Sequence, residues 1–167
     1  MIPTIKTECS EFLRDCGGNY IVKNLPTHYQ GFAKVKVRLK KTKTPFVKNF
    51  NKAFESKKYA LHNRSVLGYS DVTLLTEEAN TEPFYIFPIN GYEFIYNPEI
   101  ENSSIDYENI GLSGDYIQEL LAISYRTGDL REAISSKCEI VFYGIPYYYA
   151  LRRSLITEYY SYVNINS

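Results

Sequence analysis

The chain has 167 residues, of which 44% are hydrophobic and 23% are charged, and its formal net charge at pH 7 is zero. This length is sufficient for one domain, and the apolar content excludes a disordered chain. No apolar stretch is long enough to span a bilayer, and the opening residues MIPTIKTECSEF lack the features of a signal peptide, so we expect one intracellular domain over residues 1–167 without membrane contact.

The charges are distributed unevenly along the chain. Residues 1–60 contain 13 Lys and Arg against 4 Asp and Glu, and the remainder contains 6 against 15. A basic first part is typical of a protein with an anion site, for example for phosphate groups, although solvated basic faces are the alternative interpretation.

Cysteine and histidine are sparse. The odd set Cys9, Cys16 and Cys138 suits buried thiols in a reducing compartment better than a disulfide framework. Neither His28 nor His62 lies at a metal-ligand spacing from a cysteine or from the other histidine, so we predict no protein metal site.

The first third of the chain predicts two helices and a strand. Apolar residues at helical spacing over 4–16, followed by Gly17-Gly18, indicate a helix with a glycine stop. Residues 33–40 alternate between basic and apolar side chains and predict a strand with a basic face. Thr44-Pro45 then opens a helix that ends near Lys58.

The middle of the chain is rich in predicted strands. We predict strands over residues 59–69, 84–87 and 92–96, and the Asn90-Gly91 pair indicates a hairpin between the last two. Residues 97–113 have the composition of a long loop.

The last third predicts short helices and closing strands. The helices cover residues 115–124 and 129–135, with Ser113 and Thr127 as candidate caps. Two strands, 138–143 and 147–152, flank the turn Gly144-Ile145-Pro146, and residues 155–163 fit either a strand or a helix. The order of elements predicts an α+β fold rather than a doubly wound sheet.

Four stretches of the chain resemble small bacteriophage proteins and, through them, the ADP-ribosyltransferase-like family. These stretches are Val37-Arg38-Leu39-Lys40-Lys41-x-x-Thr44-Pro45, then Asn51 and Phe54, then Asn63-Arg64-Ser65, and FYIFPINGYEFIYNPEI at 84–100. The resemblance covers about residues 34–150 and implies a single domain with a central, mostly antiparallel split sheet flanked by short helices. The helix at 4–16 would be an N-terminal extension.

The resemblance also implies an Arg, Ser, Glu layout for NAD as substrate. Arg38 would hold the phosphate and ribose of NAD and Glu139 would stabilise the oxocarbenium-like transition state, the two residues forming the catalytic pair. The serine would be Ser65 or, as the competing choice, Ser70. The remaining NAD-binding candidates are Lys41, Arg64 and Tyr92. The chain departs from the family pattern in lacking a Ser-Thr-Ser triplet and in carrying Lys137 two residues before Glu139.

These residues support two functional hypotheses. The first is an NAD-dependent mono-ADP-ribosyltransferase that modifies a host protein or nucleic acid in the host cytoplasm, with virion association before injection as a further expectation. The second is a phage-encoded binding protein without chemistry that neutralises a host defence factor or sequesters a nucleotide. A third interpretation is nucleic-acid binding by the surface of residues 34–58, where cations and aromatic residues interleave.

Overall fold

The computed structural model of the protein describes residues 4–37, 65–98 and 125–159. Within these ranges no helix is long and apolar enough to cross a membrane. The helices are α1 (Thr4–Glu8), α2 (Ser10–Cys16) and α3 (Leu130–Ser135), with 3₁₀ turns at Val72–Leu74 and Arg153–Leu155. The strands are β1 (Ile21–Pro26), β2 (Phe32–Lys36), β3 (Val66–Tyr69), β4 (Thr81–Pro88), β5 (Glu93–Tyr96), β6 (Glu139–Tyr143) and β7 (Tyr147–Arg152).

The strands form one seven-stranded sheet in the order β2-β7-β4-β1-β3-β6-β5, and every pairing between them is antiparallel. The predicted α+β class with an antiparallel sheet and short helices is therefore confirmed. The sheet narrows between β1 and β3, which share the single residue pair Val22–Tyr69. We call β2-β7-β4-β1 the first half of the sheet and β3-β6-β5 the second half.

Close packing at this junction requires glycine at position 68. A Cβ atom there would lie 2.4 Å from Cγ2 of Ile21 and 3.0 Å from Cδ1 of Ile86, both in the first half. The first distance is shorter than real Cβ contacts and the second is tighter than most of them, so glycine allows the two halves to approach this closely.

The chain passes between the two halves through short connections. Residues 89–92 lead from β4 in the first half to β5 in the second, and residues 144–146 lead from β6 back to β7. The predicted strands are confirmed over the residues that the structure describes, while residues 38–40 and 59–64 of two of them lie outside those ranges. The predicted Asn-Gly hairpin is wrong, because β4 pairs with β1 and β7 whereas β5 pairs with β6.

Asn90 bonds to the N-terminal helices instead of closing a hairpin. Its backbone N–H donates to the carbonyl of Glu8 at 2.6 Å, and its side-chain amide donates to the carbonyl of Thr7 at 3.1 Å. The predicted helix over 4–16 is consequently interrupted at Cys9, because these two carbonyls bond to Asn90. The glycine stop is confirmed, since Gly17 adopts the left-handed conformation with φ 60°.

Phe12 on α2 joins the two halves of the sheet in the core. Its ring lies 6.1 Å from the Phe87 ring on β4 and 6.0 Å from the Phe142 ring on β6, both in edge-to-face geometry. All three cysteines are buried free thiols, as predicted. Burial raises the pKa of Cys9 and of Cys138 to about 12, so both stay protonated at neutral pH.

Two further predictions concern local structure. Asp129, rather than Thr127, caps α3, because its side chain accepts from the backbone N–H of Arg131, whereas the Thr127 hydroxyl donates to the carbonyl of Phe94. The predicted helices at 44–58 and 115–124 and the cap Ser113 lie outside the described residues.

Candidate functional site

Glu139 begins β6 and is only 4% exposed. It stands opposite Tyr69 in the β3–β6 ladder, and the Tyr69 hydroxyl donates a hydrogen bond of 3.2 Å to its Oε2 atom. Burial, and then the neighbouring Glu139 carboxylate, raise the pKa of Tyr69 above its usual value. Tyr69 therefore remains a neutral donor that holds the carboxylate of Glu139 in place.

Ser70 follows β3 and closes the same end of the ladder. Its Oγ atom accepts from the backbone N–H of Cys138 at 3.0 Å and donates to the Cys138 carbonyl at 3.4 Å. Side chains alternate between the faces of a strand pair, so Ser70 and Cys138 lie on one face while Tyr69 and Glu139 lie on the other. Ser70 is thus adjacent to Glu139 in the ladder, but its side chain lies on the opposite face.

Ser65 lies at the far end of β3. It is 2% exposed and stands four residues from Tyr69, or about 13 Å along the strand. It lines a separate cleft with Lys23, Val37 and Tyr148. Ser65 therefore does not share a site with Glu139.

Arg38, Lys41 and Arg64 lie outside the described residues. Arg38 follows Val37 in the chain and Arg64 precedes Ser65, and both of these neighbours line the cleft at the far end of β3. Lys34 and Lys36 are exposed along β2, in agreement with the predicted basic strand face.

Tyr92 joins a helix to the second half of the sheet. Its hydroxyl donates to Oδ2 of Asp15 at 2.6 Å, and its ring packs edge-on against Phe12 and Phe142. Burial and the Asp15 hydrogen bond raise the pKa of this hydroxyl well above its usual value. These contacts give Tyr92 a packing role between α2 and β6.

Ser70 also lines a cleft between the C-terminal end of α2, α3 and the β1–β3 junction, and we call it the cationic cleft. Arg131, Lys137 and Arg153 contribute positive charges, and Asp71 contributes the negative charge. Its volume of about 490 Å³ lies within the range of small-molecule sites, roughly 300–1,000 Å³. An excess of cations in a concave site favours an anionic ligand.

Lys137 lines the cationic cleft, and its backbone has an uncommon conformation. Its φ is 52°, and its N–H bonds to the carbonyl of Ile134 at the end of α3. This is the helix-ending position that glycine usually occupies, because other residues meet a steric penalty of roughly 1 kcal/mol there. The lysine side chain is 74% exposed, with Nζ 4.0 Å from Oδ2 of Asp71.

Two other clefts differ from the cationic cleft in their charges. One, of about 720 Å³, is lined by Glu77, Glu78 and Glu82, whose charges would repel an anion. The other is the cleft that contains Ser65, which is also basic, because Lys23, Lys34 and Lys36 line it together with valine and tyrosine side chains. The Nζ atom of Lys23 already donates to the carbonyl of Leu67, and Nζ of Lys34 lies 3.9 Å from the centre of the Tyr147 ring. Within the described parts of the chain, no group of three or more His, Cys, Asp or Glu residues could hold a metal ion.

Comparisons with known proteins found no relative of this chain. No family model matches the chain, and neither the curated proteins nor the solved structures contain a significant match. The resemblance to ADP-ribosyltransferase-like proteins therefore remains a prediction from the sequence.

Arg131 and Arg153 were not among the residues predicted from the sequence, and Lys137 was noted there only as a departure from a family pattern. The three cations come from α3, the turn after it and the 3₁₀ turn that follows β7. The position of Lys137, two residues after the end of the predicted helix 129–135, was an available signal for this residue. Lys137 and Arg153 line the same cleft because of the order of the strands in the sheet. The local sequence pattern around either residue does not determine that order.

Proposed function

We propose that the protein binds a phosphate-bearing ligand in the cationic cleft and acts by sequestering it, without breaking a bond in it. The observation that supports this proposal is the placement of Arg131, Lys137 and Arg153 around one cleft with a single opposing carboxylate. Guanidinium groups form paired hydrogen bonds with phosphate oxygens, and an ammonium group adds a compact charge.

The backbone of Lys137 gives independent support. A glycine at φ 52° would avoid the steric penalty, yet the chain has a lysine there whose side chain lines the cleft. Residues in costly conformations cluster at binding sites, where the side chain is needed despite its effect on stability.

The geometry of the predicted catalytic residues favours binding over chemistry. Glu139 is buried against Tyr69 on the face of the ladder opposite Ser70, and the Ser70 hydroxyl already bonds to both backbone groups of Cys138. Glu139 does not line the cationic cleft, and Ser70 lines it with a hydroxyl that is already bonded to the backbone, so the cleft has no paired nucleophile and general base from these two residues.

Titration calorimetry with inorganic pyrophosphate tests the proposal. We expect binding that weakens as salt increases, and a loss of about fivefold or more in affinity at low salt for Lys137→Gly. Arg153→Gln should act in the same direction. The matched control is Asn80→Gly, which changes another residue with positive φ, 61°, that does not line this cleft. Equal binding by all four proteins, or no binding by the wild type, would contradict the proposal.

The second candidate is mono-ADP-ribosyl transfer from NAD to a host protein or nucleic acid, with Glu139 as the catalytic carboxylate. One observation favours it: a carboxylate only 4% exposed lies at the start of the late strand, and burying such a group is costly unless its surroundings support it. The resemblance assigns this position to the catalytic glutamate and adds Arg38 as its partner.

Labelled NAD and a bacterial cell extract separate the two candidates. Transfer of label by the wild type and its loss in Glu139→Gln would support the transferase. The control is Tyr69→Phe, which removes the hydrogen bond to Glu139 but leaves the carboxylate. If wild type and Glu139→Gln release nicotinamide equally, Glu139 does not catalyse the reaction.

A further inference from the structure

Asp71 is fixed at the edge of the cationic cleft by its own turn. Its Oδ1 atom accepts hydrogen bonds from the backbone N–H and the hydroxyl of Thr73, both at 2.9 Å, and so caps the 3₁₀ turn Val72–Leu74. These two bonds lower the pKa of Asp71 below its usual value, so the carboxylate is ionised at neutral pH.

The second oxygen of this carboxylate has acceptor capacity toward the cleft. Oδ2 lies 4.0 Å from Nζ of Lys137, which is beyond hydrogen-bond distance, and the Asp71 side chain is 27% exposed. A purely phosphate-binding cleft gains nothing from a carboxylate, because the carboxylate repels the ligand. A ligand that carries hydroxyl donors a short distance from its phosphates can bond to both groups.

Two tyrosine rings line the same cleft. Tyr20 and Tyr85 have ring centroids 5.2 Å apart with an interplanar angle of 56°, and both side chains are half-buried. Aromatic rings provide surfaces on which a nucleobase of any identity can stack. The cleft therefore combines an aromatic wall, a carboxylate acceptor and three cations.

We propose that the ligand of the cationic cleft is a ribonucleoside diphosphate, with a ribose hydroxyl donating to Oδ2 of Asp71, the base against Tyr20 and Tyr85, and the diphosphate near Arg131, Lys137 and Arg153. This inference rests on the proposed function and specifies its ligand class. The cleft has a group for each part of such a molecule: tyrosine rings for the aromatic base, a carboxylate for the sugar hydroxyl and cations for the diphosphate.

Three probes test the inference: ADP, 2′,3′-dideoxy-ADP and inorganic pyrophosphate, each titrated into the full chain. The wild type should bind ADP about tenfold or more tightly than dideoxy-ADP, since the lost hydrogen bond involves a charged acceptor. ADP should also bind more tightly than pyrophosphate, and Tyr85→Leu should reduce that difference.

The matched variant is Asp71→Ser, because serine also caps a helical turn but lacks the second oxygen. Asp71→Ser should bind ADP and dideoxy-ADP within about twofold of each other and pyrophosphate at least as tightly as the wild type does, since a repelling charge is removed. Equal affinity of the wild type for all three probes would overturn the nucleotide inference while leaving a phosphate site. The absence of pyrophosphate binding by the wild type would instead reject the proposed function itself.

Discussion

The side-chain oxygen of Asn90 accepts a hydrogen bond from the backbone N–H of Glu11 at 3.0 Å. Asn90 follows β4 and Glu11 lies in the first turn of α2, so this bond connects the sheet to a helix 79 positions away in sequence. The same amide group donates to the Thr7 carbonyl, and it thereby satisfies groups on both sides of the break at Cys9.

Asn90→Asp should destabilise the protein. The substitution replaces the amide N–H groups with an oxygen that faces the Thr7 carbonyl, and we expect a loss of about 1–3 kcal/mol in the free energy of unfolding. Urea denaturation measures this loss. The control is Asn80→Asp at an exposed turn position, expected within about 0.5 kcal/mol of the wild type. Equal losses in both variants would show that Asn90 has no special role.

Lys137→Gly should stabilise the protein even though it weakens binding. Glycine relieves the strain at φ 52°, and the 4.0 Å approach to Asp71 involves an exposed lysine of little energetic value. We expect a gain of up to about 1 kcal/mol, measured by thermal or urea denaturation. Asn80→Gly should gain less, since asparagine tolerates this conformation better. A destabilised Lys137→Gly would mean that the lysine side chain supports the fold.

Gly68→Ala should destabilise the junction between the two halves of the sheet. The added methyl group would meet Ile21 and Ile86, both fully buried, and we expect a cost of about 1–3 kcal/mol. Gly31→Ala is the matched control, because its methyl group would lie 2.3 Å from Cδ1 of Leu155, the far end of a half-buried side chain that can move. If the two variants lose equal stability in urea, the buried junction is not the cause.

The ionised form of Glu8 should contribute to stability at neutral pH. Its two carboxylate oxygens accept from the hydroxyls of Tyr147 and Tyr149, each at 2.6 Å, and these bonds lower the pKa of Glu8 below 4.5. A lowered folded-state pKa means that the contribution is complete above 4.5 and is lost as pH falls through the folded value.

We therefore expect the stability difference between the wild type and Glu8→Gln to be constant from pH 7 to about 5 and to shrink at lower pH. Urea denaturation at a series of pH values measures this difference. Glu158→Gln, at an exposed position, provides a baseline that should change little. A Glu8→Gln difference that does not vary with pH would contradict the assignment.

The sequence predicted the local elements better than their arrangement. Helical spacing up to Gly17 and the alternation around Lys34 and Lys36 depend on neighbouring residues, and both predictions hold where the structure describes them. The Asn90-Gly91 turn was misread, because the same dipeptide can close a hairpin or cap a helix. The cationic cleft could not be predicted from local patterns. Lys137 precedes β6 and Arg153 follows β7, and the two residues line one cleft only because of the order of these strands in the sheet.

The two halves of the sheet are interleaved along the chain. The first half takes strands β1, β2, β4 and β7, and the second takes β3, β5 and β6, so no single cut in the chain separates the strands of one half from those of the other. During synthesis the second half cannot complete its pairing until β6 has emerged, and the first half cannot do so until β7 has emerged. We therefore expect the sheet to assemble late and to unfold as one cooperative unit, with proteolytic fragments that fail to refold separately.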